Sequence, residues 1–400
     1  EIEVEAFGWR PVATPLVLRL RLDGALVGSR LGHGMLGVEG VGSSWVHDRT
    51  VHRGMWRLVG ASVEVSMWAF FAGSEDDIEV VLHEAPGLPR GNAPWMPESW
   101  RSRHLDVLSY NVFMRPRDAP PYTTINGQGI RAALIPPRLV GYDVLVLQEA
   151  FDNDARKTLL EGLANHGYPH ASQILGSDDL TIRWKLGEGP QVPKNWNGGV
   201  VIASKWPIVE GSEAQLLFGG VCGAEDCGAD KGAVHVTIDK GPAGGPPMPF
   251  HIIGTHLNNG DWEVQKGQLE LIRRFIDALD IPPNEPVVIA GDFNVNRVTH
   301  PEYHRAMLEI LGAKDPCPFV GGCGYRYTAD GSVNDLDAGG GIHVDYTLYS
   351  SRHLGSTSGT FAETRVYRAL EEWREFAHES AMWDLSDHFA VYGSFLFMPR

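Results

Sequence analysis

Two short polar clusters carry the densest chemistry in this chain, Gly291-Asp292-Phe293-Asn294 and Ser386-Asp387-His388. Each borders an apolar run, VVIA (287–290) before the first and FAVYGSF (389–395) after the second. Four more polar residues occupy comparable places. They are Asn111 after LDVLSY (105–110), Glu149 after VLVLQ (144–148), Asn197 before GGVVIA (198–203) and His256 after FHIIGT (250–255). One polar residue at a strand end closes a turn. A set drawn entirely from Asn, Asp, Glu and His at the ends of successive strands is not explained by turns alone.

These residue types suit phosphoester hydrolysis. A Mg²⁺-like ion wants carboxylate and amide oxygens, with positions left for water and a phosphate oxygen. A histidine that titrates near neutrality can take a proton from the attacking water, provided a carboxylate fixes its tautomer. Asp345, in VDYTLY (344–349), is the candidate orienting partner. A second imidazole or a lysine can stabilise the phosphoryl oxygens as charge develops. No G-x-S-x-G elbow, P-loop or H-E-x-x-H is present, which argues against serine hydrolase, nucleoside triphosphatase and zincin readings.

The elements that must position these groups are legible as alternating patterns. The runs 105–110, 144–147, 199–203, 233–238, 250–256, 287–290, 344–349 and 389–395 read as strands, and Leu269, Ile272, Phe275, Ile276 and Leu279 make a helical stripe. The segment GPAGGPPMP (241–249) reads as a flexible connection between two strands. Strands alternating with helices predict an α/β layered domain over 104–400. Residues 1–84 read as a β-rich accessory domain: Leu18, Leu20 and Leu22 alternate with arginines and then meet the turn signal Asp23-Gly24. Between them, 85–103 is a proline-rich linker, with Trp95 and Trp100 expected to pack it onto a domain.

Bulk composition sets limits on function. The net charge of −16 supplies no basic excess for nucleic acid, so no nucleic-acid partner is expected. No apolar run is long enough to span a bilayer. The chain begins at Glu1 with no signal-like segment, which reads as a mature or trimmed form. Cys222/Cys227 and Cys317/Cys323 form two close pairs without zinc-site spacing, and are expected to be local disulfides of an exported protein.

The ordered set YNV, LQEAF, NGGVVIASKWPI, KGAVHV, THLN, GDFNVNR, VDYTLYS and SDHFAV resembles the endonuclease/exonuclease/phosphatase superfamily. Within it, QEAFD (148–152), SKWPI (204–208), DKGAVHV (230–236) and NVNRVTHPEY (294–303) resemble the bacterial-type neutral sphingomyelinases, or sphingomyelinase C. The likeness runs from about Leu105 to Phe397, while GDFN and SDH alone mark only the superfamily.

That resemblance implies a four-layered α/β sandwich, two face-to-face sheets flanked by helices, with the site at one edge. It implies metal ligation by Glu149 and Asn111, with Asp292, Asn294 and His388 as the opposite wall. One or two Mg²⁺ ions are implied, replaceable by Mn²⁺ or Co²⁺. His388 would be the general base, steered by Asp345 with Asp387 beside it, and His256 would bind the phosphate or assist the leaving group. Lys231 would contact phosphate; the alternative is a solvated turn lysine. The position of Asn197 is often acidic in relatives and could orient His256, which an amide would do more weakly.

The implied reaction is hydrolysis of sphingomyelin to ceramide and phosphocholine. Phospholipase C action on other choline or inositol lipids, or a nuclease, is the alternative. Such a substrate implies peripheral membrane contact and a secreted or cell-surface location. The interval holding Phe361, Tyr367, Trp373, Phe376 and Trp383 would supply a membrane-dipping hairpin; REFAHESAMW (374–383) reads equally as a packed amphipathic helix.

Overall fold

A computed structural model of the chain describes residues 101–398 except 117–126, 178–182, 185–193, 242–246, 318–325, 333, 338, 358–359 and 375–381, together with the strands of residues 1–84 as backbone. The segment 85–100, with Trp95 and Trp100, lies outside the described residues.

The apolar runs form strands because alternate side chains find apolar partners on both faces. Six strands make one mixed sheet in the order His170–Ala171, Val201–Ser204, Val144–Ala150, His104–Met114, Ala390–Leu396 and Phe361–Arg365. Seven make the second, with Pro249–His256, Val287–Asp292 and Asp345–Ser350 side by side within it. Leu105, Val107, Val144 and Val146 of the first sheet meet Val234, Val236, Ile252, Val288 and Ala290 of the second in one apolar core. The intervening residues face outward. Leu108, Leu145 and Leu147 pack with Leu159 and Leu163 of the helix Asn153–Asn165. Ile253 and Ile289 pack with Leu269, Ile272 and Phe275 of the helix Trp262–Ala278. Helix, sheet, sheet, helix are therefore the layers, as the sequence pattern predicts.

The stripe predicted around Leu269 is the buried face of Trp262–Ala278. Asp261 starts this helix by accepting from the backbone N–H of Glu263 and Val264, which satisfies donors that have no partner inside the helix. Burying each Leu, Ile or Phe of the stripe contributes about 1.5–3 kcal/mol. The segment 241–249 connects two antiparallel strands, as expected.

In residues 1–84, Ile2–Phe7, Leu16–Leu22 and Ala25–Gly32 pair antiparallel, with Leu22 opposite Ala25 across the predicted turn. Met35–Leu36, Asp77–Glu84, Glu64–Ala72 and Val51–Val59 form a four-stranded sheet. Cys222 and Cys227 form a disulfide. Cys317 is also disulfide-bonded, and Cys323 lies outside the described residues. Among the described residues no helix is long and apolar enough to cross a membrane.

Candidate active site

Strand register brings the polar clusters together. His256 pairs with Asp292, and Asp292 with Asp345, so three adjacent strands of the seven-stranded sheet each end in a titratable side chain. Alternation puts all three on the inner face, in phase with Ile252, Val288 and Ala290. Asn111 reaches the same edge from the opposite sheet, in phase with Leu105 and Val107. Glu149 does not follow this rule. Strict alternation would send it outward with Leu145 and Leu147. Its left-handed backbone, φ 55°, breaks the alternation, and its carboxylate meets the inner-facing Asn111. A glutamate held at positive φ stores strain, and such strain concentrates at functional sites. Asn294 is held likewise at φ 53°. Gly291 is required by close approach, because a Cβ there would lie 2.0 Å from the Thr255 carbonyl oxygen.

Asp292 Oδ2 is the meeting point. Asn111 Nδ2 donates to it at 3.1 Å and to Glu149 Oε1 at 3.2 Å. His256 Nε2 stands 3.5 Å from it and His388 Nε2 4.0 Å. The other ring nitrogen of His388, Nδ1, is 2.9 Å from Asp345 Oδ2. Ser386 fixes the histidine segment by donating from Oγ to the Asn111 carbonyl at 2.5 Å, and it accepts from the His388 N–H at 3.2 Å. Asn294 is tied in by its own N–H to Asp292 Oδ1, 2.9 Å, and by Nδ2 to the Leu257 carbonyl, 3.0 Å.

The electrostatics are those of crowded carboxylates. Burial and the neighbouring Asp345 push the Asp292 carboxyl up to about 7. Burial raises Asp387 to about 6, with Glu149 adding to the rise. Burial also works against Glu149, but the charges of Arg115, His256 and His388 and the Asn111 hydrogen bond bring it down to about 2. Burial opposes charge on His388 too; Asp345, Asp387 and Asp292 outweigh it and hold the imidazole well above its ordinary value. His256 is driven the other way, to about 3, by burial and the Lys231 ammonium.

Comparison with known proteins is consistent with this constellation. The sequence profile described as the Endonuclease/Exonuclease/phosphatase family matches residues 108–388. Sphingomyelinase C of Leptospira interrogans is 34% identical over 305 residues, covering 72% of this chain and 51% of the relative. Sphingomyelinase C of Bacillus cereus is 30% identical over 319 residues, covering 72% of this chain and 87% of the relative. A Staphylococcus aureus beta toxin variant, solved with bound magnesium ions, is 28% identical with a TM-score of 0.62, covering 72% of this chain and 98% of that one. The chain belongs to the endonuclease/exonuclease/phosphatase family, in its sphingomyelinase C branch. It spans about half the length of the Leptospira relatives it matches, 51% of the one above.

The residues of this family member fit a divalent cation. Ligand atoms of Asp292, Asp345 and His388 lie within 4.8 Å of one another. Burial and the adjoining Asp345 make the ionised form of Asp292 costly, a cost that a cation bound beside it would offset. Glu149, Asn111 and Asn294 add hard oxygen donors beside it. Asn111 Oδ1 already accepts the Phe113 N–H at 3.1 Å, which leaves that oxygen one further lone pair.

One expectation is corrected and one alternative is removed. Asn197 does not orient His256: its Nδ2 donates to the Phe151 carbonyl and its Oδ1 accepts from Gly199 N–H, so it closes the turn before Val201–Ser204. His256 Nδ1 is buried without a partner. Nor is Lys231 a solvated turn lysine. It is 5% exposed, 2.8 Å from Asp226 Oδ1, 2.9 Å from the Leu257 carbonyl and 3.3 Å from His256 Nε2. In the aromatic interval, Arg368–Trp373 and Met382–Asp384 pair antiparallel; residues 375–381, including Phe376 and most of the stretch read as a packed helix, lie outside the described residues.

Sequence reasoning missed three supporting residues. Arg115 donates from Nε to Glu149 Oε2 at 3.1 Å, and its place four residues after Asn111 was the available signal. Asp226 pairs with Lys231 from inside the Cys222–Cys227 loop. Arg131, fully buried, donates to the carbonyls of Val112 at 2.7 Å, Phe113 at 2.5 Å and Leu385 at 3.0 Å. It thereby joins the Asn111 strand to the His388 segment, by backbone contacts that leave no sequence motif.

Proposed function

We propose that this chain is a Mg²⁺-dependent phosphodiesterase that hydrolyses sphingomyelin to ceramide and phosphocholine, acting at a membrane surface after secretion. The carrying observation is the convergence of Asn111, Glu149, His256, Asp292 and the His388–Asp345 pair at one sheet edge.

One or two Mg²⁺ ions held by Glu149 and Asn111 and by the Asp292/Asn294 wall would supply Lewis-acid stabilisation of phosphate oxygens and of the departing alkoxide. The remaining work belongs to side chains. Asp345 accepts the Nδ1 proton of His388, so Nε2 of the neutral imidazole is the nitrogen that takes a proton from water attacking phosphorus in line; cations beside it would oppose the protonated form that the surrounding carboxylates favour. Asp387 stands beside His388 and adds to the field that stabilises the imidazolium formed. His256 stays neutral, so it contributes a hydrogen bond rather than a proton. Lys231 adds positive charge next to it. The antiparallel pair Arg368–Trp373 and Met382–Asp384 supports a hairpin for interfacial contact, and residues 1–84 serve as an all-β accessory domain.

The test is a substrate panel with Mg²⁺ and with chelator: sphingomyelin, phosphatidylcholine, lysophosphatidylcholine and DNA. Release of phosphocholine from sphingomyelin, abolished by chelator, is expected. Preferred cleavage of another lipid or of DNA would replace the substrate while keeping the site.

A further inference from the structure

The His388–Asp345 pair uses only one carboxylate oxygen, Oδ2. The other, Asp345 Oδ1, is buried with no hydrogen-bond partner, and so are Thr347 Oγ1 and Thr364 Oγ1. The three side chains belong to residues 0%, 1% and 7% exposed. All three line one cavity of about 10 Å³ behind the pair. Thr347 follows Asp345 by two residues on the same strand and so shares its inner face. Thr364 comes from the edge strand of the opposite sheet. The cavity therefore lies between the sheets; Ala362 and Val391 also line it, as do the polar Arg297, Asp315, His343 and Glu363. Gly393 leaves room for the Thr347 hydroxyl: a Cβ on Gly393 would lie 2.6 Å from Thr347 Oγ1.

Buried oxygens of this kind are rarely left dry in a native interior; they are paired, or an ordered water pairs them. The space is about that of one water molecule, too small for an organic ligand. A water has the matching valence, accepting from two hydroxyls and donating to a carboxylate oxygen.

We propose that this cavity holds one ordered water bonded to Asp345 Oδ1, Thr347 Oγ1 and Thr364 Oγ1, which makes the two threonines positioning residues for the His388–Asp345 pair. With Oδ1 fixed from behind, the carboxylate cannot swing about its Cβ–Cγ bond. Oδ2 stays on His388 Nδ1, and Nε2 stays aimed at the open side of the site. The positioning role rests on His388 being the base proposed above; the water itself does not.

A crystal structure of the Mg²⁺-loaded protein at a resolution that shows solvent tests the site directly. A single peak at hydrogen-bonding distance from all three oxygens is expected. An empty cavity, or a peak with the short distances and coordination of a metal, overturns the proposal. Thr347→Val with Thr364→Val removes both hydroxyls, and Thr347→Ser with Thr364→Ser keeps them. The Val pair should lose about tenfold or more in kcat with KM little changed, the size usual for residues that orient a ligand through another group. The Ser pair should retain activity. Thr364→Val alone should also lower the melting temperature; a neutral or raised value would mean a dry cavity and count against the water. The low-field proton resonance of His388 Nδ1–H should shift in the Val pair, and it can be read even if sphingomyelin is not the substrate. Equal kcat in the Val and Ser pairs with an unmoved resonance would remove the positioning role.

Discussion

Among the described residues the sandwich holds two clusters of two carboxylates and a histidine, and they solve the same electrostatic problem in opposite ways. Asp292, Asp345 and His388 lie at one end of the strands; His104, Asp106 and Asp143 lie towards the other. Ligand atoms within each group are within 4.8 Å of one another. In the second cluster the Lys240 ammonium sits 2.7 Å from Asp143 Oδ2, Trp206 donates to Asp143 Oδ1 at 2.7 Å, and Tyr392 donates to Asp106 Oδ1 at 2.6 Å. Burial alone would raise Asp143, yet Lys240, Trp206 and the Asp106 backbone N–H hold it below the usual carboxylate range. In the first cluster, burial and Asp345 carry Asp292 up to about 7. A buried acid that brings its own cation belongs to the framework. One that does not is a place where a cation from solution can bind.

The largest effects should separate the two clusters by activity. His388→Ala is expected to lower kcat by about 10²–10⁴-fold, the usual contribution of a general base, without loss of fold by circular dichroism. His104→Ala, in the framework cluster, should leave the metal dependence and pH profile of the reaction in place. A His388→Ala enzyme that kept a tenth of wild-type kcat would sink the base assignment.

Lys240→Met attacks the other side of the contrast. It strips the framework cluster of its cation and leaves Asp143 buried and unpaired, a change that costs about 3–5 kcal/mol in such pairs. Urea unfolding should register that loss. The Mg²⁺ midpoint for turnover should not move, because the active cluster lies towards the opposite strand ends. If Lys240→Met instead altered the metal midpoint and left stability unchanged, the two roles would have to be exchanged.

How much of this was legible in the sequence follows from the same physics. Strand ends carrying Asp292, Asp345 and His256 were readable because alternation and register are local consequences of apolar patterning. The His388–Asp345 pair was readable from chemistry, since a base needs an orienting carboxylate. Glu149 was found by its place after a strand, but the left-handed backbone that turns it inward was not visible in residue types. Lys240 was missed altogether. A lysine after a strand looks like any solvated turn lysine until the opposite sheet places Asp143 against it. Asn197 misled for a related reason: an amide beside two glycines satisfies its own turn first.

The subtlest consequence of the contrast is in the sign of the pH dependence. The Asp292 carboxyl, about 7 in the folded chain, stands near 3.9 when unfolded. Its protonated form is thus favoured by the fold. The stability linked to it is complete below about pH 4 and is lost as pH rises through about 7. His388, raised well above its ordinary value, acts in the same direction. Asp143 has the opposite sign: its contribution is complete above its unfolded value and is lost on acidification through the lower folded one. With chelator present, the melting temperature should therefore fall between about pH 5 and about pH 8. Adding Mg²⁺ should restore more at the higher pH, where Asp292 is free to ionise, each kcal/mol being worth about 2–4 °C. Asp292→Asn should flatten the chelated profile, whereas Lys240→Met should weaken its acid limb and steepen the fall at higher pH. A Mg²⁺ shift larger at about pH 5 than at about pH 8 would mean that the unmet charge at the Asp292 edge is not what draws the cation.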